Sequence, residues 1–140
     1  MKKISIISVT LLLLLSVFTV DAVKTQKTTT VTNAAKVEVY YFHFTRRCVT
    51  CQAVETETQK IIATLYPTQY KAGKITFKSI NLDEKESKVM AEKCKAEGQS
   101  LLIISGNKRL DLTDTGFMYA KSNPEKLKTE LKKAIDPLLK

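Results

Sequence analysis

Apolar and polar residues alternate with two different periods along this chain, and the changes of period outline its predicted elements. Val37 to Phe44 is an almost unbroken β-branched and aromatic run, which predicts a buried strand. Beyond it, apolar residues recur every three or four positions from Val54 to Leu65, which predicts a helix from about Arg46 to Tyr66. We expect this helix to end before or at Pro67, because proline interrupts the helical hydrogen bonds.

The middle of the chain returns to an alternating pattern. Ile75 to Leu82 alternates apolar and polar side chains and predicts a second strand. Asp83 with Glu86 forms a plausible capping pair for a helix that runs to Gly98. The order so far is strand, helix, strand, helix.

The last third predicts a hairpin and a terminal helix. Leu101 to Ile104 is a short apolar strand, Ser105 to Lys108 is a turn, and Arg109 to Thr113 returns as the antiparallel partner. Phe117 and Tyr119 are expected in a loop, as packing residues. Asn123 and Pro124 predict the start of a final helix, whose apolar face comprises Leu127, Leu131, Ala134, Ile135 and Leu138. The order β-α-β-α-β-β-α predicts an α/β domain with a four-stranded mixed sheet and helices on both faces.

The N-terminus carries the pattern of an export signal. Lys2 and Lys3 precede an apolar run from Ile4 to Val20, and Ala22 ends a small-residue cleavage site. We therefore expect a signal peptide at 1–22, a Thr- and Lys-rich flexible tether at 23–36, and one domain at 37–140. The protein is expected outside the cytoplasm, in a periplasm or equivalent compartment, with no stable membrane insertion after cleavage. An uncleaved segment that anchors the chain in the inner membrane is the alternative.

Bulk composition narrows the classes of partner. The 140 residues carry a formal charge of +9, contain three cysteines and lack tryptophan. The lysines are scattered over predicted helix faces and do not cluster with aromatic side chains, so we expect a solvated basic surface and no nucleic-acid partner.

Two cysteines, Cys48 and Cys51, occupy the junction between the first strand and the first helix. In this context a C-x-x-C spacing is typical of a redox pair. If the helix begins near Thr45 or Arg46, Cys48 lies in its first turn, where free backbone N–H groups and the neighbouring Arg47 favour a thiolate. Cys48 is then the expected nucleophile and Cys51 the resolving thiol.

Other interpretations of the same cysteines stay open. Cys48 and Cys51 could form an inert structural disulfide, as exported domains often do. They could also supply two ligands of a Zn, Cu or Fe–S centre shared between two chains, although such a centre needs about four ligands and no second C-x-x-C exists. No dinucleotide-binding fingerprint is present, and we expect no cofactor beyond the redox disulfide.

Three further residues could contribute to the chemistry of the cysteine pair. His43 is the single imidazole of the chain and lies close enough in sequence to Cys48 to carry a proton. Glu55 follows Cys51 by one helical turn and is the nearest acid. Cys94 lies among apolar residues and is expected to be buried, with intermolecular pairing as the alternative.

The motifs carry a resemblance to known proteins. The position of the cysteine pair and the strand pair after Gly98 resemble thioredoxin-like oxidoreductases over nearly the whole domain. More narrowly, the chain resembles the nitrophenyl compound nitroreductase subunit ArsF family of small exported bacterial proteins. The segments that carry this second resemblance are Tyr41-Phe42-His43, Arg47 to Cys51, Ser100-Leu101-Leu102, Thr113 to Ala120 and Asn123-Pro124-Glu125.

Departures from the thioredoxin pattern concern the surroundings of the sulfurs. The resemblance implies a buried acid on the central strand where Phe42 stands, and a cis-proline before the third strand where Ser100 stands. We expect a trans peptide at Gln99-Ser100, since a cis bond before a non-proline residue costs about 3 kcal/mol. The Ser100 hydroxyl is expected to point towards Cys48 and donate a hydrogen bond to its thiolate.

The resemblance implies an enzyme, an exported thiol-disulfide oxidoreductase that reduces a protein partner or relays electrons to it. The partner would be a protein dithiol or disulfide, or a reductase. The alternatives are a non-catalytic metal-binding or electron-relay subunit of a nitroreductase system, and an adaptor with a structural disulfide.

Overall fold

The computed structural model describes residues 36–140. The predicted signal peptide at 1–22, and the predicted tether at 23–36 except its last residue, lie outside the described residues. Within the described part, no helix is both long and apolar enough to cross a bilayer.

The domain contains four strands and five α-helices, and each element appears in the order that the hydrophobic pattern predicts, with two added short helices. Their bounds are β1 Val37–His43, α1 Val49–Leu65, α2 Pro67–Lys71, β2 Ile75–Asn81, α3 Ser87–Cys94, β3 Ser100–Ser105, β4 Lys108–Asp111, α4 Thr113–Tyr119 and α5 Pro124–Ile135, followed by a 3₁₀ turn at Asp136–Leu138.

The strands form one mixed sheet in the order β2-β1-β3-β4. β1 and β2 run parallel, with α1 and α2 as the crossover between them, while β3 is antiparallel to β1 and β4 is antiparallel to β3. This order and these directions are those of the thioredoxin-like fold, so the predicted fold class is confirmed.

The central strand β1 separates two apolar layers, because successive side chains point to opposite faces. Val37, Val39 and Tyr41 pack with α1 and α5 in the larger cluster. Tyr40 and Phe42 pack on the other face, in a smaller cluster that includes the third helix. All of these side chains except Tyr40 are fully buried, and Tyr40 is 2% exposed. Helices therefore cover both faces, as predicted.

The first helix begins three residues later than predicted. Its first residue is Val49, with Cys48 as the N-cap, so the prediction of a start near Arg46 is wrong. The preceding loop is held outside the helix because the Thr45 amide donates to the Asp83 carboxylate at 2.8 Å. This bond also removes Asp83 from the capping role predicted for it, and no side chain caps α3.

The third helix also ends earlier than predicted, at Cys94 instead of Gly98. Lys95 follows in the left-handed region with φ 52°, which ends the helical hydrogen bonding. Arg109 of β4 then donates from Nε to the Cys94 carbonyl oxygen at 2.9 Å and from Nη2 to that of Lys95 at 3.2 Å. The edge strand thus satisfies two of the terminal carbonyl groups of α3.

The segment before the last helix is itself helical, so the loop predicted there is wrong. α4 begins at Thr113, whose amide donates to the Asp111 carboxylate at 3.0 Å. Gly116 lets this short helix approach the core closely, because a Cβ there would stand 3.2 Å from Val54 and 3.1 Å from Leu101. Phe117 and Tyr119 pack against the larger cluster, as predicted for them.

The last helix closes the larger cluster as the sequence predicts. The Asn123 side chain accepts a hydrogen bond from the Lys126 amide at 3.1 Å, and Pro124 occupies the first turn. Leu127, Leu131 and Ile135 are fully buried, and each contributes about 1.5–3 kcal/mol of transfer free energy.

Candidate active site

The two cysteines of the C-x-x-C motif are joined in a disulfide at the N-terminus of α1. Their Cα atoms are 5.1 Å apart. The Cys48 sulfur accepts a hydrogen bond from the Cys51 amide at 3.1 Å, and the Cys51 sulfur accepts one from the Cys48 amide at 3.2 Å. The Cys48 side chain therefore occupies the N-cap position and satisfies an amide that the helix itself leaves free.

The N-cap position corrects the prediction that Cys48 lies in the first turn, and it changes the electrostatics at the sulfur. A thiolate at the N-cap accepts hydrogen bonds from the first free amides and lies at the positive end of the helix dipole. Cys51 is the third residue of α1, and its amide is one of those donors. The geometry thus favours negative charge on Cys48 once the disulfide is reduced.

The two sulfurs also differ in their access to solvent. Cys48 is exposed, whereas Cys51 is only 6% exposed. Two large apolar side chains flank the exposed cysteine in sequence: Phe44 is 43% exposed and Val49 is 67% exposed. A partner protein can reach Cys48 directly, and only through Cys48 can it exchange with the buried sulfur.

Arg47 and Glu55, both predicted as auxiliary residues, form an ion pair beside the disulfide. Their side chains are 27% and 24% exposed. The pair joins the loop before Cys48 to the second turn of α1, so a positive and a negative side chain lie together on the segment that carries the disulfide. Arg46, by contrast, is exposed and has no carboxylate at ion-pair distance among residues 36–140.

We expect Arg47 and Glu55 to act in opposite directions on Cys48. In the reduced protein, Arg47→Gln should slow alkylation of Cys48 at pH 6 by roughly threefold, because a nearby positive charge stabilises the thiolate. Glu55→Gln should accelerate it by a similar factor, since the Arg47 charge is then no longer opposed by its carboxylate partner. Iodoacetamide rates measured against pH check this, with Arg46→Gln as the matched control. Equal effects of Arg46→Gln and Arg47→Gln would show that only the overall charge matters.

Tyr41 and Gln99 are polar neighbours of this ion pair that the sequence pattern did not indicate. The Tyr41 hydroxyl accepts a hydrogen bond from the Gln99 amide nitrogen at 2.8 Å. Burial raises the pKa of Tyr41, and the Glu55 charge raises it further, while Gln99 and Arg47 oppose the rise. The Tyr41 phenol is therefore held neutral near the Arg47–Glu55 ion pair. The alternation of Val37, Val39 and Tyr41 on one strand face was the available signal.

His43 lies at the end of β1, where its chemistry is constrained by two contacts. Nδ1 is 2.9 Å from the Phe44 carbonyl oxygen, and the ring stacks on Tyr41 at 5.8 Å between centroids. The side chain is 8% exposed. Since a carbonyl only accepts, Nδ1 carries the proton in this arrangement and Nε2 is the nitrogen left to accept one. The proton-carrier role stays a prediction.

Phe42 does not occupy the position behind the cysteines that the resemblance implied for it. Its side chain packs in the smaller cluster with Ala91, Cys94 and Leu102. Tyr41, one residue earlier, points to the face that α1 covers. The α1 face of β1 therefore carries a tyrosine next to this position, and not an acid.

Ser100 is the first residue of β3 and pairs with Phe42, instead of preceding the strand. The peptide bond before it is trans, as predicted. Its hydroxyl donates to the Gly98 carbonyl oxygen at 3.0 Å, so the predicted hydrogen bond to Cys48 is not formed. A polar groove of about 580 Å³ lies beside Ser100 and Gln99. Neither cysteine of the motif lines it.

Cys94 is the free cysteine among the described residues and is 4% exposed. It lies in the smaller cluster, on the sheet face opposite α1. Burial raises the pKa of the Cys94 thiol. The prediction of a buried apolar-like residue is confirmed.

Within residues 36–140, no group of three or more His, Cys, Asp or Glu side chains converges in a way that could hold an ion.

The chain is similar to the germline-specific thioredoxin Deadhead of Drosophila melanogaster, with 22% sequence identity, coverage of 71% of this chain and 81% of that chain, and a TM-score of 0.44. No family model matches the chain, and no curated protein matches it. The fold is identified by its strand order and directions, and the resemblance to the ArsF family stays a prediction.

Proposed function

We propose that this protein is a thiol-disulfide oxidoreductase that exchanges electrons with a protein partner through Cys48 and Cys51. The observation that carries the proposal is the asymmetry of the disulfide: Cys48 is exposed at the N-cap of α1, and Cys51 is 6% exposed in its first turn. A purely structural disulfide does not require one exposed and one buried sulfur. A bridge across three residues also constrains the unfolded chain little, so it adds little stability.

The proposed exchange proceeds in two balanced steps. The Cys48 thiolate attacks one sulfur of a partner disulfide, which forms a Cys48–partner bond and releases the other partner sulfur as a thiolate. The Cys51 thiolate then attacks the Cys48 sulfur, which closes the Cys48–Cys51 bond and releases the second partner thiolate. Two electrons pass to the partner, each released thiolate takes a proton, and a dithiol donor returns the protein to its reduced form.

The proposal extends to the compartment in which the protein works and to the kind of protein with which it exchanges electrons. The charged and apolar N-terminal pattern at 1–22 supports export, and an exported dithiol requires an electron donor in the same compartment. An electron-relay role in a nitroreductase system, which the ArsF resemblance implies, would use the same first step with a reductase as the partner. The two roles therefore differ in the partner and share the chemistry at Cys48.

Trapping tests the proposal and identifies the partner. In the Cys51→Ser variant the second step is blocked, so we expect a mixed disulfide between Cys48 and the partner to accumulate in the exporting cell, visible as a dithiothreitol-sensitive adduct. The Cys48→Ser/Cys51→Ser variant is the matched control and should form no adduct. An adduct that forms equally in this control arises at Cys94 and contradicts the proposal, as does a Cys51→Ser variant that traps nothing.

A further inference from the structure

A small basic pocket lies between the end of α3 and the β3–β4 turn. Its volume is about 180 Å³, and its charged lining consists of Lys93, Lys95, Lys108 and Arg109, with no carboxylate. The three lysines are exposed, and among residues 36–140 none of them has an Asp or Glu at ion-pair distance. Three lysines thus line one cavity without the paired carboxylate that such a cluster normally attracts, and the fourth cation, Arg109, is paired with Asp111.

Arg109 is fixed in this pocket by the protein itself. Its Nε and Nη2 donate to the carbonyl oxygens of Cys94 and Lys95, and Nη2 also lies 3.3 Å from the Asp111 carboxylate. Nη1 has no protein acceptor in the part of the chain that the structure describes. Because the other bonds already hold the guanidinium, an anion that binds Nη1 would immobilise it at little further cost in side-chain entropy.

Lys95 is placed in the pocket by an unfavourable backbone conformation. With φ 52° it is the one non-glycine residue at positive φ within residues 36–140. Glycine or asparagine usually occupies such a position after a helix, since other side chains are strained there. A lysine at this position adds a third cation to the lining of the cavity. Glycine would be more stable in this backbone conformation, so backbone stability does not account for a lysine here.

From these observations we propose that Lys93, Lys95, Lys108 and Arg109 form a binding site for a phosphate-type anion. A cavity of 180 Å³ has room for about six water molecules, hence for a phosphate group with part of its hydration shell. Lysine ammonium groups and a guanidinium edge are the donors that bind multiply charged phosphate oxygens. The phosphate is that of a lipid headgroup or of a free phosphorylated solute.

The site is separate from the disulfide. Glu38 pairs with Ile104 beside the β3–β4 turn, whereas Phe42 pairs with Ser100 at the other end of the same strands. Four residues of an extended strand span about 13 Å. Anion binding should therefore be equal in the oxidised protein and in Cys48→Ser/Cys51→Ser, so this proposal and the redox proposal fail independently.

The test measures amide hydrogen exchange of the full chain, kept in a neutral detergent, with and without sodium tripolyphosphate or inorganic phosphate. We expect protection at residues 93–95 and 106–109. A second arm places the chain on vesicles of phosphatidylcholine alone or mixed with phosphatidylglycerol. Protection by the free anions identifies a solute site, and protection only on the phosphatidylglycerol vesicles identifies a headgroup site. Absence of protection in both arms overturns the proposal.

Matched variants separate a built site from general charge attraction. Lys93→Gln/Lys108→Gln should weaken anion binding at least tenfold, while Lys88→Gln/Lys121→Gln, which removes the same charge from exposed positions elsewhere, should change it less than twofold. Lys95→Gly relieves the backbone strain and should unfold no more easily than the parent chain, yet should bind the anion several-fold more weakly. Equal losses in the two double variants, or unchanged binding in Lys95→Gly, would contradict the site.

Discussion

Cys48→Ser is expected to abolish catalysed disulfide exchange, with a fall in turnover of roughly a thousandfold or more. A serine hydroxyl is not ionised near neutral pH and does not attack a disulfide, and Cys51 is too buried to replace the lost nucleophile. The measurement is reduction of a model protein disulfide in the presence of dithiothreitol. Cys94→Ser is the control: Cys94 is buried on the opposite sheet face, so this variant should retain its activity. A Cys48→Ser variant with more than about a tenth of the parent rate would assign the chemistry elsewhere.

Gly116→Val should produce a large loss of stability, because the substitution overpacks the contact between α4 and the core. A Cβ at this position already lies 3.2 Å from Val54 and 3.1 Å from Leu101, both fully buried, and valine adds two further methyl groups. Overpacking of this kind costs about 3 kcal/mol, more than the few tenths that valine gains over glycine in helix propensity. Urea unfolding of both proteins gives the difference.

Gly98→Val provides the matched control, because no atom lies within 4 Å of a Cβ at Gly98. It should change the free energy of unfolding by less than about 0.5 kcal/mol. Val54→Ala makes room on the other side of the contact, so Gly116→Val/Val54→Ala should be less destabilised than the sum of the two single changes. Equal losses in Gly116→Val and Gly98→Val would show that α4 moves away from the core without cost.

The sequence pattern was sufficient for the strands, because their burial depends on local alternation. Helix ends were harder to predict, since contacts between distant residues determine them. The Thr45 amide is bound by Asp83, 38 residues away, which delays α1, and the terminal carbonyl groups of α3 are bound by Arg109 of the edge strand. α4 went unpredicted for a related reason: the buried face of this short helix depends on the fit of Gly116 against Val54 and Leu101.

Some residues of the candidate site could likewise be predicted from the local sequence, whereas others are brought together only by contacts between distant segments. The cysteine pair and Arg47 could be predicted because C-x-x-C after a strand is a local pattern. Tyr41 and Gln99 are 58 residues apart in sequence, and only the pairing of β1 with β3 brings them together. Ser100 was assigned a role at the sulfur, but its hydroxyl donates to the Gly98 carbonyl, a partner two residues away that needs no tertiary contact.

The central position of β1 has a consequence for how the chain acquires its structure during synthesis. β1 is made first among the strands, yet Val37 pairs with Ile75 and Glu38 pairs with Ile104, so both of its neighbours are made long after it. Such non-local pairing slows folding, and the sheet cannot assemble until most of the domain has left the ribosome. The bond between Cys48 and Cys51 spans three residues and can close on the unfolded chain once it reaches an oxidising compartment. Oxidation can therefore precede folding, and only the later docking of α1 on the sheet gives the two sulfurs their unequal access to a partner.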